Sequence, residues 1–496
     1  MNLLWLGKSV DGIWHLPSLL EKIHEAREDA HLMVCSDFLT EYEANCLGHN
    51  FYGEALHKTY RALIGNPSVD FFDMEAIGDI GIEALAKSAD GLLYPFDPLT
   101  MRFKPMTSRL ASLKLKKFMT VDKDLAEAMP KEVYFDYPVD YDAWAGEVCM
   151  RLKNVNHSTK QQLPLLIAPV IYPVGRDGYS GVEKLVGLFA RALDRCLVTA
   201  LEDSTLPTRA KLTSVGPQPQ DYEEKAVSGV LASLYGEYDV AVDFSHAKHL
   251  GRSNPNANQI SIIWHDPYII QPPQPIHNVI ALSLWQASRF KKRYKQDCYV
   301  LNPICADADY FSQSGGVRDD RLIFIGKMHP SKGALEAIEL CKRLKQKLWL
   351  IGPVTPGDPP SYVKEVIASC DQQDIMYLGE VSEAEKLMFL QKAKALFYPV
   401  SYPPGQGESH SHKLVEAMLC GTPCIVNDQG AMGEVVDDGV TGKIYKREAE
   451  LVDAVESCRD MDNAAVRDAA IKRWDYREVV AKWEFLMHSV STGEKW

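Results

Sequence analysis

Short apolar runs recur along this chain, most of them followed by glycine, proline or a polar turn and then by residues at helical spacing. Residues 3–6, 31–35, 91–94 and 117–121 read as strands, and residues 16–26, 80–88 and 108–115 as helices. A polar stretch at 151–163 reads as a linker, and the pattern then restarts. Strands are predicted at 165–171, 197–200, 240–244, 260–264 and 279–283, with an amphipathic helix at 182–193. A third series follows at 322–325, 347–351, 375–378, 395–398 and 424–426, with helical segments between. The tail 464–490 is helical in spacing and carries Trp474, Tyr476, Trp483 and Phe485. Strands that are apolar throughout belong to sheets covered on both faces, so the pattern predicts α/β lobes with parallel sheets. The expected division is a lobe at 1–150, a lobe at 163–315, a lobe at 316–460, and terminal helices at 461–496 that cross back to the middle lobe.

Composition narrows the classes. The chain has 496 residues and a formal charge of -13. That sign disfavours a duplex nucleic acid as partner, because such binding depends on neutralising phosphates. No basic, apolar leader and no membrane-length apolar run is read from the sequence, so a cytoplasmic protein is expected. Eleven cysteines without a C-x-x-C pair point to reduced thiols.

The chemistry concentrates in residues 398–426, YPVSYPPGQGESHSHKLVEAMLCGTPCIV. A buried strand ends in a Pro/Gly loop that delivers Glu408. A helix follows, stopped by Gly421-Thr422-Pro423, and a second buried strand comes next. In parallel sheets ligands gather beyond the carboxyl ends of strands, and a helix start offers free N–H groups to a phosphate. Glu416 is expected about two turns inside the helix, so that both carboxylates face one ligand. Upstream, Phe324-Ile325-Gly326-Lys327 and Lys332-Gly333 supply two cations beside glycines.

Glu408-x7-Glu416 with Ala417-Met418 and Cys420-Gly421-Thr422-Pro423 resembles the donor-site signature of retaining glycosyltransferases of family 4. The run Gly430 to Tyr445 and the Gly326-Lys327 and Lys332-Gly333 segments resemble that family in the same order. The resemblance covers about residues 163–490. It implies a GT-B fold, two facing Rossmann-like lobes, here with an additional N-terminal α/β lobe. It implies transfer of a hexose from a nucleoside diphosphate, UDP favoured over GDP, to an acceptor hydroxyl with retained configuration. No cofactor or metal is expected. Glu408, His246 and Lys332 take the catalytic positions. Lys327, Lys332, Glu416, Ser409, His410, Ser411, His412, Gly178 and Gly181 take the donor side, and His265, Asp266, Arg176 and Tyr179 the acceptor side.

The chain departs from the family at Ser409-His410-Ser411-His412, where an aromatic residue and glycines are usual. The histidines there read equally as donor ligands or as solvent-facing residues of the helix start. Asp307-Ala308-Asp309 reads as a plain loop rather than a metal site, and Lys291-Lys292-Arg293 as a solvated helix end with an option of peripheral membrane contact. A glycan or lipid-linked acceptor is expected, in surface polysaccharide or glycolipid synthesis. A transferase acting on modified DNA bases, a nucleotide-sugar epimerase and a silent glycan-binding scaffold are the alternatives.

The first lobe echoes the third. Residues 89–124 lie on 393–428 at a constant offset of 304 without a gap, and Leu3 to Lys8 parallels Ile323 to Lys327. In this alignment Glu408 falls on Lys104 and Glu416 on Ser112. A degenerate copy that serves packing, oligomerisation or acceptor docking is the expectation.

Overall fold

The computed structural model describes residues 2–6, 31–36, 69–73, 85, 91–94, 118–120 and 133–134 of the first segment. It also describes 163–496 apart from 176–180, 218–224, 249, 252–253, 255, 271–275, 314–316, 356 and 494. The predicted helices at 16–26 and 108–115, all of that at 80–88 but Leu85, and nearly all of the polar 151–163 stretch lie outside the described residues.

Three parallel sheets are present. The first has the order β3-β2-β1-β4-β5-β6, built from β1 (Asn2–Leu6), β2 (His31–Ser36), β3 (Val69–Asp73), β4 (Gly91–Tyr94), β5 (Phe118–Thr120) and β6 (Val133–Tyr134). The second runs β13-β12-β11-β10-β7-β8-β9. Its elements are β7 (Leu163–Ile167), α1 (Val182–Ala192), β8 (Cys196–Ala200), β9 (Ala210–Ser214), α2 (Lys225–Ser233), β10 (Tyr238–Asp243), β11 (Gln259–Ile262), β12 (Val279–Ala281), α3 (Leu284–Tyr294) and β13 (Tyr299–Val300). The third runs β16-β15-β14-β17-β18-β19. It comprises β14 (Arg321–Ile325), α4 (Ala334–Leu344), β15 (Lys347–Ile351), α5 (Pro360–Ala368), β16 (Ile375–Tyr377), α6 (Glu383–Lys392), β17 (Ala395–Tyr398), α7 (His412–Leu419), β18 (Cys424–Asn427), α8 (Met432–Val435) and β19 (Gly442–Tyr445). The chain ends with α9 (Leu451–Asp460), α10 (Asn463–Trp474) and α11 (Tyr476–Ser491).

The strands β8, β11 and β17 are buried along their whole length, which is why β17 is an unbroken apolar run and β8 nearly one, while β11 keeps two polar side chains, Gln259 and Ser261, inside. Several predicted strands extend too far. β7 ends at Ile167 rather than 171, β11 at Ile262 rather than 264, and β12 at Ala281 rather than 283. In each case the apolar run continues into a buried loop, so hydrophobicity outlasts the ladder. The strands β3, β6, β9, β13 and β19 were not foreseen: β9 is half exposed, and β6 and β13 have only two residues each.

The second and third sheets reverse strand order between β7 and β10 and between β14 and β17. Such switch points open a crevice at the carboxyl ends of the strands. The two crevices face each other. Lys184 of α1 pairs with Glu383 of α6 at 2.5 Å, and Glu434 of α8 accepts from the Leu284 and Trp285 amides at the start of α3, at 2.7 and 2.8 Å. The tail returns to the second sheet, where Trp483 is fully buried edge-on against Phe189 of α1. The chain therefore passes between the lobes twice. Its two passages are joined where the Ala306 amide donates to Trp474 O and the Tyr476 amide donates to Ala306 O, both at 3.0 Å.

The first sheet touches the second lobe at the opposite end from the crevice. Asn256 donates to the Val69 carbonyl. Burial, reinforced by the Asp70 carboxylate, pushes the Tyr235 and Tyr238 phenols up. Tyr238 starts β10, while Asp243 ends it, five steps or roughly 16 Å nearer the crevice.

Candidate functional site

The loop after β17 is held by close backbone contacts. Gly333 has φ +78°, and a Cβ there would fall 1.7 Å from the Pro399 carbonyl oxygen. Only glycine lets the two loops meet, with the Ser401 amide donating to Ser331 O at 3.0 Å. Gly430, at φ +68°, packs on the Glu408 backbone in the same way, and the Ala431 amide donates to Glu408 O at 2.8 Å. Glu408 is thus fixed from both sides. Its carboxylate accepts from Lys332 Nζ at 2.5 Å and the Tyr402 hydroxyl at 2.9 Å. Burial works against its charge, yet the Lys332 ammonium, with Lys413 and the Tyr402 hydrogen bond, holds the carboxyl below its usual range. Burial likewise opposes the Lys332 charge, and Glu408 more than offsets it, so Lys332 stays protonated.

The helix starts at His412, not near Glu408. Ser411 is extended, with φ −149° and ψ 114°, and the loop persists through it. Glu416 therefore lies little more than one turn inside α7 instead of two. It still shares a cavity of about 210 Å³ with Glu408. Gly181, Lys184, Lys327, Lys332, His410, Ser411, His412 and Lys413 line the same space, from both lobes. Glu416 accepts from Lys386 Nζ at 2.8 Å, and Lys386 also pairs with Glu383 at 3.0 Å. Carboxylates and ammoniums thus alternate from Glu416 across the cleft to Lys184.

Ser409, His410 and Ser411 are buried at 5%, 6% and 4% exposure, which removes the solvent-facing reading. The His410 ring packs edge-on against Trp474. Both of its nitrogens and the Ser409 and Ser411 hydroxyls have no hydrogen-bond partner among the described residues. Burial drives His410 well below its usual pKa, and His412 to about 3 with help from Lys184, Lys386 and Lys413.

On the facing lobe, His246 and His265 stack with centroids 5.7 Å apart beside a second cavity of about 280 Å³. Buried Lys248, in the left-handed region at φ +53°, places His246 by donating to Asp243 O at 2.9 Å and to Ser245 O. Trp264 donates to Phe244 O at 2.8 Å, and Gln286 donates to His265 O at 2.9 Å, which aligns His265 with its partner. Burial lowers His246 to about 3, with His265 and Lys248 adding to it. Burial also lowers His265 to about 4; Glu408 opposes this, while Lys332, Lys327 and Lys248 reinforce it. Both imidazoles are neutral at neutral pH. The field of Glu408 on His265 shows that the two lobes address one space.

Asp266 does not join them. It is buried and accepts from Arg289 Nε at 2.7 Å and from the Tyr268 amide at 3.0 Å, so it shapes its own loop. Arg176, Gly178 and Tyr179 lie outside the described residues. Asp307 and Asp309 pair with different arginines, Arg191 at 2.5 Å and Arg477 at 2.8 Å, in keeping with a structural loop. Sequence reasoning missed Lys184, Lys248, Lys386, Tyr402 and Lys413. Only Lys413 carried a local signal, its place between the two glutamates.

Two facing Rossmann-like sheets with a site between their switch points constitute the GT-B fold, and solved structures share it. A glycosyltransferase involved in avilamycin A biosynthesis superposes with TM-score 0.56 at 20% identity, covering 67% of this chain and 99% of that one. Anabaena HepE, in complex with UDP-glucose, superposes with TM-score 0.52 at 19% identity, covering 66% and 100%. Residues 310–472 match the family described as glycosyl transferases group 1. In sequence, the chain is 30% identical over 130 residues to an uncharacterized glycosyltransferase of Methanocaldococcus jannaschii, covering 25% of this chain and 32% of that protein. It is 24% identical over 215 residues to the lipopolysaccharide 1,2-N-acetylglucosaminetransferase of Salmonella typhimurium, covering 39% and 55%. These matches therefore span between a third and just over half of the relatives' own lengths.

Proposed function

We propose that the protein is a retaining glycosyltransferase that moves a hexose from a nucleoside diphosphate to an acceptor hydroxyl, forming an α-linkage. The observation that carries this reading is the shared cavity, where Glu408 and Glu416 stand among lysines at a helix start between two lobes. Departure of a diphosphate develops negative charge, which cations and fixed N–H dipoles stabilise. Lys327 and the start of α7 take that role. Glu416 takes the ribose hydroxyls, exchanging Lys386 for the nucleotide. Glu408, oriented by Lys332 and Tyr402, binds the sugar hydroxyls.

The acceptor oxygen attacks the anomeric carbon on the face that the diphosphate leaves. The bond to the diphosphate breaks as the bond to the acceptor forms, and a leaving phosphate oxygen takes the acceptor proton. His246 and His265, neutral and facing the sugar from the other lobe, donate or accept one hydrogen bond each. Closure of the lobes excludes water.

UDP-hexose is the preferred donor, in line with the UDP-glucose bound by HepE. A glycan or lipid-linked acceptor of surface polysaccharide or glycolipid synthesis, used on the cytoplasmic side, fits the Salmonella relative. Among the described residues no helix is long and apolar enough to cross a membrane. Peripheral contact has a candidate surface. Ile269 and Ile270 are exposed beside Tyr268, over which Arg289 and Arg293 stack. Such an apolar tip among cations suits an anionic bilayer.

The test is a thermal-shift and hydrolysis screen of UDP-, GDP-, ADP- and dTDP-sugars on the wild type and Glu416→Ala. A rise in melting temperature with one nucleotide, weakened in the variant, supports the reading. A folded protein that responds to no nucleotide sugar refutes it.

A further inference from the structure

The lysines lining the donor cavity are not equivalent. Lys332 is matched by Glu408, Lys386 by Glu416 and Glu383, and Lys184 by Glu383. Among the described residues no carboxylate pairs with Lys327 or Lys413. Lys413, in the first turn of α7, turns back into the cavity. Its ammonium lies 3.9 Å from the centroid of the Tyr398 ring and beside Gly326, 3.4 Å from where a Cβ on that glycine would stand. It occupies the space between the β14 loop and the helix start. The Ser411 hydroxyl and the His410 ring, both more than nine-tenths buried, line that space without a partner. A cation, a helix start and unpartnered polar groups in one enclosed place are complementary to a phosphate.

We propose that Lys413 is the cation that closes on the donor's diphosphate, and that donor binding and protonation of Lys413 are one coupled event. This rests on reading the cavity as the nucleotide-sugar site. The groups facing Lys413 decide the coupling. Lys327 of the β14 loop and Lys332 of the following turn repel its charge, while Glu408 of the β17 loop and Glu416 of its own helix attract it. Tyr398 offers only a ring face, and neighbouring His412 is held neutral. Burial is the largest influence, and with the two lysines it brings the ammonium to about 7. Protonated Lys332 holds Glu408 and Lys386 holds Glu416, so the attraction of the two carboxylates compensates Lys413 only in part. A diphosphate is the counter-charge that the pocket lacks. Its arrival restores the ammonium, and one proton enters from solvent.

Calorimetric titration of the full chain tests this. The probe is UDP-glucose, or whichever of GDP-mannose and ADP-glucose binds instead, between pH 6 and 9 in buffers of different ionisation enthalpy. The phosphodiester groups of these donors do not titrate in that range. Proton uptake is expected to be near zero at pH 6 and to approach one at pH 8.5. The Kd should weaken about tenfold per pH unit above about 7, as linkage to a single proton requires. Lys413→Arg, charged throughout, should bind at pH 8.5 without proton uptake. Lys413→Met should bind weakly at pH 6.5, by about 10-fold or more, with a flat pH profile. A wild type that binds without proton uptake, or a Lys413→Met variant that still takes up the proton, overturns the inference while leaving the donor site standing. A folded wild type that binds none of the three overturns the donor site and this inference together.

Discussion

The first and third sheets have the same strand order and the same register. Leu4 pairs with Leu92 and Met33 as Ile323 pairs with Leu396 and Trp349. This agrees with the parallel of Leu3 to Lys8 with Ile323 to Lys327, aligned on Gly7 and Gly326, and with the offset of 304. It lapses at the next strand. Leu92 pairs with Phe118 where Leu396 pairs with Cys424, so the first lobe's connection is two residues shorter. That connection is the one which, in the third lobe, carries Glu408, Lys413 and Glu416. Backbone order is thus common to both sheets, whereas the two carboxylates, Glu408 and Glu416, belong to one. The candidate site lies in the loop, not in the arrangement of strands. Position agrees with this, because the first sheet meets its neighbour at the amino ends of the strands, away from the cleft.

Glu408→Gln sharpens the contrast most. Turnover should fall about 10²–10³-fold, the usual cost of removing a preorganised polar group from a reacting centre. Lys104→Met, its aligned position, should leave turnover within about twofold. Equal losses in a steady-state assay would end the distinction between the lobes. Next in size is Glu416→Ala, expected to raise the donor KM by about 10- to 100-fold, as loss of hydrogen bonds to a charged group implies. Ser112→Ala should leave that KM unmoved.

The smallest effect is a pH signature of the cleft itself. His246 and His412 titrate at about 3 and His265 at about 4 when folded, against about 6.5 when unfolded. The unfolded chain then binds more protons as pH falls below about 6.5, so stability is full above that value and declines toward about 3. His246 and His412 should each contribute roughly 1 kcal/mol of the loss by pH 5.5, and the more exposed His265 less. Urea unfolding at pH 7.5 and 5.5 measures this, and His265→Gln should shrink the difference.

The alternating architecture and the E-x7-E loop were legible because buried parallel strands are apolar runs and because glycine and proline punctuate the loops. Strand ends were not, since residues 168–170 and Ile263 stay buried after the ladder stops. Lys386 and Lys248 were invisible for a different reason. One sits on a helix 30 positions before its partner Glu416, and the other is an ordinary lysine until a left-handed turn buries it. The pairing of Asp266 with Arg289 was not legible either, because a carboxylate after a buried strand looks the same whether it serves a ligand or an arginine.

The bond pair at Ala306 has a mechanical consequence. Two separate linkers could let the lobes slide, twist and swing. Linkers pinned to each other here, and again where the Ala308 amide donates to the Asp475 carboxylate and Arg477 pairs with Asp309, resist sliding and favour rotation about the joint. Groups beside the pivot, such as the ring of His410 against Trp474, then travel little, while the far rims of the cleft sweep the longest arc. Rotation about that joint would be a jaw's opening, wide at the lip and nearly still at the hinge.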